Sequence, residues 1–230
     1  MSVPVQHTIS IIVPMLNEAT VLPALLTHLA IYKHRGCEVL LVDGGSTDNS
    51  VASARQAGFT IIAAKQGRAR QMNAGAAVAG ADVLLFLHAD TRLPDHADQI
   101  ILRVLTSGTA DWGRFDVSIQ GKSVLLPVIA FMMNLRSRST GIATGDQAIF
   151  VRRSVFAQMG GFPDQPLMED IELSTRLHRI SAPVCLRDQV CTSGRRWETR
   201  GVLRTAWLML RLRLAYFLGA SAEQLARAYK

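Results

Sequence analysis

The stretch Asp43-Gly-Gly-Ser-Thr-Asp-Asn-Ser50 lies directly behind the apolar run Val39–Val42. A short buried strand that ends in a carboxylate, glycines and small hydroxyls places polar groups at the carboxyl edge of a parallel sheet. Open α/β sheets bind their ligands at that edge. The stretch therefore predicts an α/β fold with a ligand site at the end of this strand.

The first half of the chain alternates β-rich runs with helical stretches, which is typical of a parallel sheet covered on both faces. Strands are predicted at Ile9–Val13, Val39–Val42, Thr60–Ala63 and Val83–Leu87. Helices are predicted at Ala19–Tyr32, Thr47–Gln56, Arg68–Val78 and Asp95–Leu105. Ser46 or Asp48 would cap the second helix, and Pro94 would lie in the first turn of the fourth.

The second half is less regular. The patterns predict a strand at Trp112–Ile119, an apolar helix at Ser123–Leu135, a strand at Ala148–Val151, a helix at Met168–Ile180 and a helical tail from Gly201. The chain is predicted to be one domain, with a nucleotide-binding half (1–107), an acceptor half (108–199) and a helical C-terminal extension (200–230).

Composition limits the partners and the compartment. A net charge of +7 favours anionic partners, but only 6% of the residues are aromatic and the basic residues are not interleaved with them, which argues against nucleic acid. Three cysteines without a CxxC pair argue against disulfides and zinc. Met1–Gln6 does not resemble a signal peptide, and no apolar run reaches about 18 residues. A cytoplasmic protein, soluble or peripheral at the inner membrane, is expected.

Several motifs follow one another in a characteristic order. They are Val13-Pro-Met-Leu-Asn-Glu18, the Asp43 stretch, Gly67-Arg-Ala-Arg-Gln-Met-Asn-Ala-Gly75, Leu87-His-Ala-Asp90, Met168-Glu-Asp170 and Arg196-Trp197. This order resembles the family 2 glycosyltransferases over nearly the whole chain. The resemblance implies a GT-A fold, with a Rossmann-like, mostly parallel sheet sandwiched by helices. The third and fourth motifs look like the small branch associated with arsenosugar biosynthesis.

The first motifs predict a nucleotide site. The carboxylate of Asp43, next to Gly44, could accept hydrogen bonds from a base or a ribose, although an ordinary turn would use the same residues. Pro14, Asn17 and Glu18 would line the same crevice, or simply form a turn with a cap. In the resembled family this opening segment contacts the nucleotide.

The third motif predicts a diphosphate site, because a helix N-terminus with nearby arginines attracts phosphate. Arg68 or Arg70 would contact the nucleotide. The alternative is a helix packed closely on the sheet through Gly75, with its arginines in solvent.

The resemblance implies a metal ligand at Asp90, which matches the last acid of the family's Asp-x-Asp motif. His88 replaces the first acid, and it would contact the nucleotide, assist the metal or be structural. Mg²⁺ and Mn²⁺ both suit carboxylate and phosphate oxygens, and the histidine favours Mn²⁺.

The resemblance also implies the catalytic residues. Asp170 corresponds to the general base that deprotonates the acceptor hydroxyl, with Glu169 as its partner. Acids at a helix start also complement the helix dipole, which is the structural alternative. Asp146 and Gln147 would line the acceptor side.

Arg196 and Trp197 match only the end of a Gln-x-x-Arg-Trp motif, since residue 193 is Ser. Arg196 would fold over the diphosphate or lie in a surface loop, and Trp197 would contact the acceptor. The apolar stripe with arginines in 201–218 predicts core or homodimer packing first, and an anionic membrane contact second.

Together these features predict a metal-dependent, inverting glycosyltransferase that moves a sugar from a nucleoside diphosphate, most naturally UDP, to a hydroxyl acceptor. The alternatives are a sugar-phosphate nucleotidyltransferase and a non-catalytic nucleotide-sugar binding protein. Val13–Glu18 lacks the glycine-rich loop that the first would need, and also the GxGxxG of a Rossmann dehydrogenase.

Overall fold

An eight-stranded sheet forms the centre of the computed structural model, which describes residues 9–108 and 110–229. The strands are β1 (Ser10–Met15), β2 (Glu38–Asp43), β3 (Thr60–Ala63), β4 (Val83–Phe86), β5 (Thr91–Arg92), β6 (Trp112–Gln120), β7 (Phe150–Arg152) and β8 (Val184–Ser193). Their order in the sheet is β3-β2-β1-β4-β7-β6-β8-β5. The first four strands in that order pair in parallel, and β6 pairs in parallel with β8. β7 is antiparallel to β4 and β6, and β5 is antiparallel to β8.

Helices cover both faces of this sheet. They are α1 (Leu22–His34), α2 (Ser50–Gln56), α3 (Arg68–Val78), α4 (Ala97–Thr106), α5 (Leu126–Thr140), α6 (Arg153–Gln158), α7 (Glu169–His178), α8 (Arg195–Arg200), α9 (Val202–Phe217) and α10 (Ala222–Tyr229). Neighbouring residues of a strand face opposite sides. Accordingly, Ile11 shares a buried cluster with Leu29 of α1, while Ile12 shares another with Met72 of α3 and Leu173 of α7. The predicted sheet sandwiched by helices is confirmed.

The C-terminal helices pack on α7 through a third apolar cluster. Its buried members are Ile142, Met168, Ile171, Leu212 and Leu225. The predicted helical extension is therefore confirmed, while the division into a nucleotide half and an acceptor half stays a prediction. Within the described ranges, no helix combines the length and hydropathy needed to cross a membrane.

The first two helices begin three residues later than predicted. The loop that follows β1 and the loop that follows β2 form hydrogen bonds with each other, so their residues do not join the helices. The Ala19 N–H donates to Asp48 Oδ2 at 3.0 Å, and the Asn17 N–H donates to Ser46 Oγ at 2.9 Å. Asn49 occupies the N-cap position without a side-chain bond, but the Asp48 carboxylate accepts the N–H of Ser50, the first residue of α2, at 2.9 Å. The predicted capping by Asp48 is therefore confirmed, whereas Ser46 supports the loop that follows β1.

Further differences arise where the sequence pattern is interrupted. Pro94 precedes α4 rather than entering it, and its carbonyl accepts the Ala97 N–H at 3.1 Å. β8 was not predicted, because Arg187 and Asp188 break its apolar pattern. The register jumps there, from Leu186 opposite Phe115 to Gln189 opposite the next residue of β6, so these two charged residues lie in a bulge.

Helix α3 lies unusually close to the sheet, as the glycine in its motif predicted. A Cβ at Gly75 would lie 2.5 Å from Cγ2 of Ile12 and 2.9 Å from Cγ2 of Val42. One turn earlier, the buried Gln71 amide donates to the carbonyls of Met15 and Val42 at 2.9 and 2.8 Å. These contacts fix the start of α3 beside the carboxyl ends of β1 and β2.

Replacing this glycine tests the close approach. Gly75→Ala should lower the free energy of unfolding by about 1–2 kcal/mol, because overpacking of β1 and β2 outweighs the better helix propensity of alanine. Urea unfolding monitored by circular dichroism measures the change. Gly80→Ala is the control, because its Cβ would meet only the Glu38 carboxylate, at 3.8 Å. Equal stability of the two variants would contradict the packing argument.

Candidate active site

A cavity of about 450 Å³ lies at the carboxyl edge of the sheet. Its walls come from the residues that follow β1 and β4, from the first turns of α3 and α7, and from α8, α9 and α10. α/β sheets bind ligands at this edge. The cavity is therefore the candidate active site.

Ten of the fifteen residues that were predicted for the site line this one cavity. They are Pro14, Glu18, Arg68, His88, Asp90, Asp146, Glu169, Asp170, Arg196 and Trp197. The fold brings together residues from both halves of the sequence, as a site between a donor and an acceptor requires. Their roles stay predictions.

Asp43 is not part of the cavity lining, although it ends β2 as predicted. Its carboxylate accepts the N–H of Gly45 at 3.0 Å and that of Ser46 at 3.1 Å, which is the turn that the sequence left as the alternative. The adjacent Gly44 donates its N–H to the Met15 carbonyl at 3.0 Å. Both residues shape the loop that follows β2.

Three more predicted residues point elsewhere. Arg70 is exposed and pairs with Asp164 at 2.7 Å, so Arg68 is the arginine of this helix that faces the cavity. The Asn17 side chain accepts the Thr47 N–H at 2.8 Å. Gln147 is fully buried, and its side-chain oxygen accepts the N–H of Thr144 at 3.2 Å. Through these hydrogen bonds, the side chains of Asn17 and Gln147 stabilise their own loops.

His88 contacts an acid from the second half of the chain. Its Nδ1 lies 3.1 Å from Oδ1 of Asp146, and a carboxylate only accepts, so this nitrogen carries the hydrogen. Burial raises the pKa of Asp146, but His88, Arg68 and Arg196 outweigh it and keep that pKa below its ordinary value. Nε2 is buried without a partner among the described residues, and it packs against Gly145, where a Cβ would overlap the ring.

Glu169 is a buried acid facing an arginine. Its side chain is 3% exposed, and Oε1 lies 3.4 Å from Nη1 of Arg68. Burial and the neighbouring Asp170 raise the pKa of Glu169, and Arg68 only partly offsets them. This contact joins the first turn of α3 to the first turn of α7 across the cavity.

Asp170 is aimed into the cavity by a strained turn. The preceding residue, Met168, is buried and has a φ of 65°, a conformation that costs energy for a residue with a side chain. The Asp170 carboxylate accepts the Gly145 N–H at 2.7 Å and the Ile171 N–H at 2.8 Å. Two backbone donors thus fix its orientation while lone pairs remain for a ligand.

Glu18 and Asp90 form an acidic pair at the opposite wall. Burial, together with the negative charge of Asp90, raises the pKa of Glu18, and Arg195 and Arg196 lower it. Asp90 itself is exposed, and among the described residues its carboxylate accepts only a long 3.4 Å hydrogen bond, from Thr91. Its oxygens are therefore available to a ligand.

The C-terminal helices supply cavity residues that the sequence analysis did not assign. They are Thr205, Met209 and Arg213 of α9 and Tyr229 of α10. The Arg196 guanidinium donates to the Tyr229 hydroxyl, and its carbon lies 5.4 Å from the ring centre, so the tail is tied to α8. Arg213 lies on a different side of α9 from the other arginines of this helix. This spacing was the sequence signal that could have assigned Arg213 to the cavity.

Comparisons with known proteins agree with this site. The family model described as Glycosyl transferase family 2 matches residues 10–159. An uncharacterized glycosyltransferase of Mycobacterium tuberculosis is 30% identical over 206 residues, which cover 85% of this chain and 76% of that protein. A PGL/p-HBAD biosynthesis glycosyltransferase of Mycobacterium bovis is 32% identical over 168 residues, covering 66% of this chain and 62% of that protein.

Solved structures show the same fold. TarS 1–349 of S. aureus, in complex with UDP-GlcNAc, superimposes with a TM-score of 0.64 at 17% identity, over 81% of this chain and 58% of that chain. The mannosyltransferase PcManGT of Pyrobaculum calidifontis, in complex with GDP-Man and Mn²⁺, gives a TM-score of 0.63 at 21% identity, over 97% of this chain and 70% of that chain.

The resemblance that the motifs carried is thus confirmed at the level of the family, whereas the arsenosugar branch stays a prediction. The alternatives of a nucleotidyltransferase and of a non-catalytic binding protein are set aside. The chain belongs to glycosyl transferase family 2 and is a glycosyltransferase with the GT-A fold.

Proposed function

We propose that this glycosyltransferase moves a sugar from a nucleoside diphosphate, UDP by preference, to a hydroxyl acceptor in a single inverting displacement that depends on a divalent cation. One observation carries the proposal. Arg68 of α3, Asp90 of the loop between β4 and β5, and Asp170 of α7 line the same cavity. Such a transfer needs a positively charged side chain for the diphosphate, a carboxylate that is free to bind the divalent ion, and a second carboxylate oriented to accept a proton. Arg68, Asp90 and Asp170 supply these three groups.

The donor diphosphate would lie near the start of α3. Gly67 and Arg68 line the cavity there, and Arg195 and Arg196 face them from α8. A helix N-terminus and guanidinium groups bind phosphate oxygens well. The structures of TarS with UDP-GlcNAc and of PcManGT with GDP-Man support a nucleotide-sugar donor, and we choose UDP as the first nucleotide to test.

The residues present fit a Mg²⁺ or Mn²⁺ ion that is shared with the diphosphate. Such ions take oxygen ligands and use one or two carboxylates together with phosphate groups. Asp90 would hold the ion, with Glu18 beside it, and the ion would offset the charge that develops on the leaving diphosphate. His88 is directed towards Asp146 and Gly145, which removes the reason to prefer Mn²⁺. In the described residues, no three His, Cys, Asp or Glu side chains form a metal cluster by themselves.

Asp170 would act as the general base. Its carboxylate is oriented by the Gly145 N–H, and it would accept the proton of the acceptor hydroxyl as that oxygen attacks the anomeric carbon. Glu169 would position Arg68, while Asp146, Gln147 and Trp197 would shape the acceptor side. Asn17, Asp43 and Gly44 would support the nucleotide wall from behind.

The proposed base is tested by Asp170→Asn, which is nearly isosteric. UDP-glucose and UDP-GlcNAc hydrolysis, in which water takes the place of the acceptor, should fall by about 10²–10⁴-fold while UDP affinity persists. Asp164→Asn, at an exposed acid outside the cavity, is the control and should keep the parental rate. For an inverting reaction, proton NMR should show the β-anomer of the sugar first. Near-parental turnover in Asp170→Asn, or first release of the α-anomer, would contradict the proposal.

The proposed metal ligand is tested by calorimetry. Mn²⁺ and Mg²⁺ should tighten UDP binding to the parent protein, and Asp90→Ala should remove most of that gain, because the cation loses its protein ligand. Binding of UDP without metal should change little. A variant that keeps the full metal effect would exclude Asp90 and move the search to Glu18.

The buried acid predicts a pH-dependent stability. Because the pKa of Glu169 is raised in the folded state, its protonated form stabilises the fold at acid pH, and this contribution is lost as the pH rises through the raised pKa. The stability of Glu169→Gln relative to the parent should therefore increase from pH 4 to about pH 8. Urea unfolding across this range measures it, with exposed Glu223→Gln as the control. A constant difference across the range would contradict the prediction.

A further inference from the structure

The large apolar side chains that are exposed are concentrated in two segments. Twelve of the fifteen exposed large apolar residues in the described chain lie in residues 124–135 and 203–218. The twelve are Val124, Leu125, Val128, Phe131, Met132, Leu135, Leu203, Trp207, Leu210, Leu214, Phe217 and Leu218. Single exposed apolar residues are ordinary on soluble proteins, but such a concentration marks an interaction surface.

Helix α9 is apolar on two opposite faces. Leu203, Trp207, Leu210, Leu214 and Phe217 follow one another at steps of four and three residues, so they form one stripe along the helix. Each is 59–72% exposed. The opposite face packs inward on α7 and α10 through Leu212 and its neighbours. The first-ranked prediction for this segment was core or homodimer packing, and core packing holds for only one face of the helix.

Helix α5 presents a second such stripe close by. It buries Leu126 and Ala130 and exposes Val128, Phe131 and Leu135. The Glu198 carboxylate of α8 accepts the N–H of Lys122, which precedes α5. The start of α5 therefore lies beside α8, which leads directly into α9.

The charge on these segments is of one sign. No aspartate or glutamate occurs in residues 117–145 or 199–222. The same segments contain the exposed cations Lys122, Arg200, Arg204 and Arg211, whereas Arg138 pairs with Asp116 at 2.6 Å. Apolar side chains flanked by exposed arginines and lysines match an anionic lipid surface. A symmetric contact between two copies would instead bring like charges together.

We propose that the exposed apolar stripes of α5 and α9, with their flanking cations, dock this glycosyltransferase on an anionic membrane surface. Helix α9 then serves two surfaces, because Thr205, Met209 and Arg213 line the cavity while Trp207 and Leu210 face outward. Docking through this helix would hold the active site beside the lipid surface. The proposal does not depend on the donor or on the base.

Vesicle binding tests the proposal, and Trp207 is a built-in probe. Trp112 is fully buried and Trp197 is partly buried, whereas Trp207 is 67% exposed. The parent protein should sediment with vesicles of phosphatidylcholine and phosphatidylglycerol, with its tryptophan emission shifted to the blue. It should bind vesicles of phosphatidylcholine alone much more weakly, and high salt should reduce binding.

Two variants and one control separate the contributions. Trp207→Ser with Leu210→Ser, and separately Arg204→Glu with Arg211→Glu, should each weaken binding to the mixed vesicles by about tenfold or more. Val78→Ser, at a valine that is 57% exposed but outside both segments, should bind like the parent. Circular dichroism and UDP affinity should be unchanged in all variants, since none of these residues lines the cavity.

Two results would overturn the proposal of membrane docking. One is parent protein that stays in the supernatant with mixed vesicles, and the other is a Trp207→Ser, Leu210→Ser variant that binds these vesicles like the parent. Light scattering that shows a dimer of the parent, a monomer of this variant and no vesicle binding would assign the surface to a second copy instead. None of these results would affect the tests of Asp90 and Asp170.

Discussion

The close approach of α3 to the sheet is the constraint on which the site depends. Gly75 leaves no room for a side chain between this helix and the branched residues of β1 and β2, and Gln71 bonds the terminal carbonyls of both strands. The first turn of α3 is thereby placed at the carboxyl edge of the sheet. Arg68 can then meet Glu169 at 3.4 Å, which links the two parts of the chain across the cavity.

The cavity concentrates acids that would be more stable elsewhere. Glu18 and Glu169 both have raised pKa values because of burial and of a neighbouring carboxylate. Raised carboxylate pKa values of this kind are common at functional sites. A cation and a nucleotide diphosphate bound among Arg68, Arg196 and these acids would complete the charge balance.

The sequence predicted the parts of the fold whose patterns are local. The predicted bounds of the strand Thr60–Ala63 and of the helix Arg68–Val78 are identical to those of β3 and α3 in the structure. It missed β8, whose pairing with β6 spans a bulge at two charged residues, because long-range pairing leaves no local period. At the site, motifs identified which carboxylates face the cavity, but not that the carboxylate of Asp43 is engaged in its own turn. That distinction depends on the loop geometry, which residue types alone do not specify.

The C-terminal helices connect the cavity with the outer surface. Arg213 lines the cavity, and burial together with Arg213 lowers the pKa of Arg136 on α5 to about 9. Helices α5 and α9, which carry these two arginines, also carry the exposed apolar stripes. The inner face of α9 contributes to the cavity wall, and its outer face exposes an apolar stripe. If the outer face docks on a lipid surface as proposed, the orientation of the cavity relative to that surface is fixed, because two faces of one helix cannot turn independently.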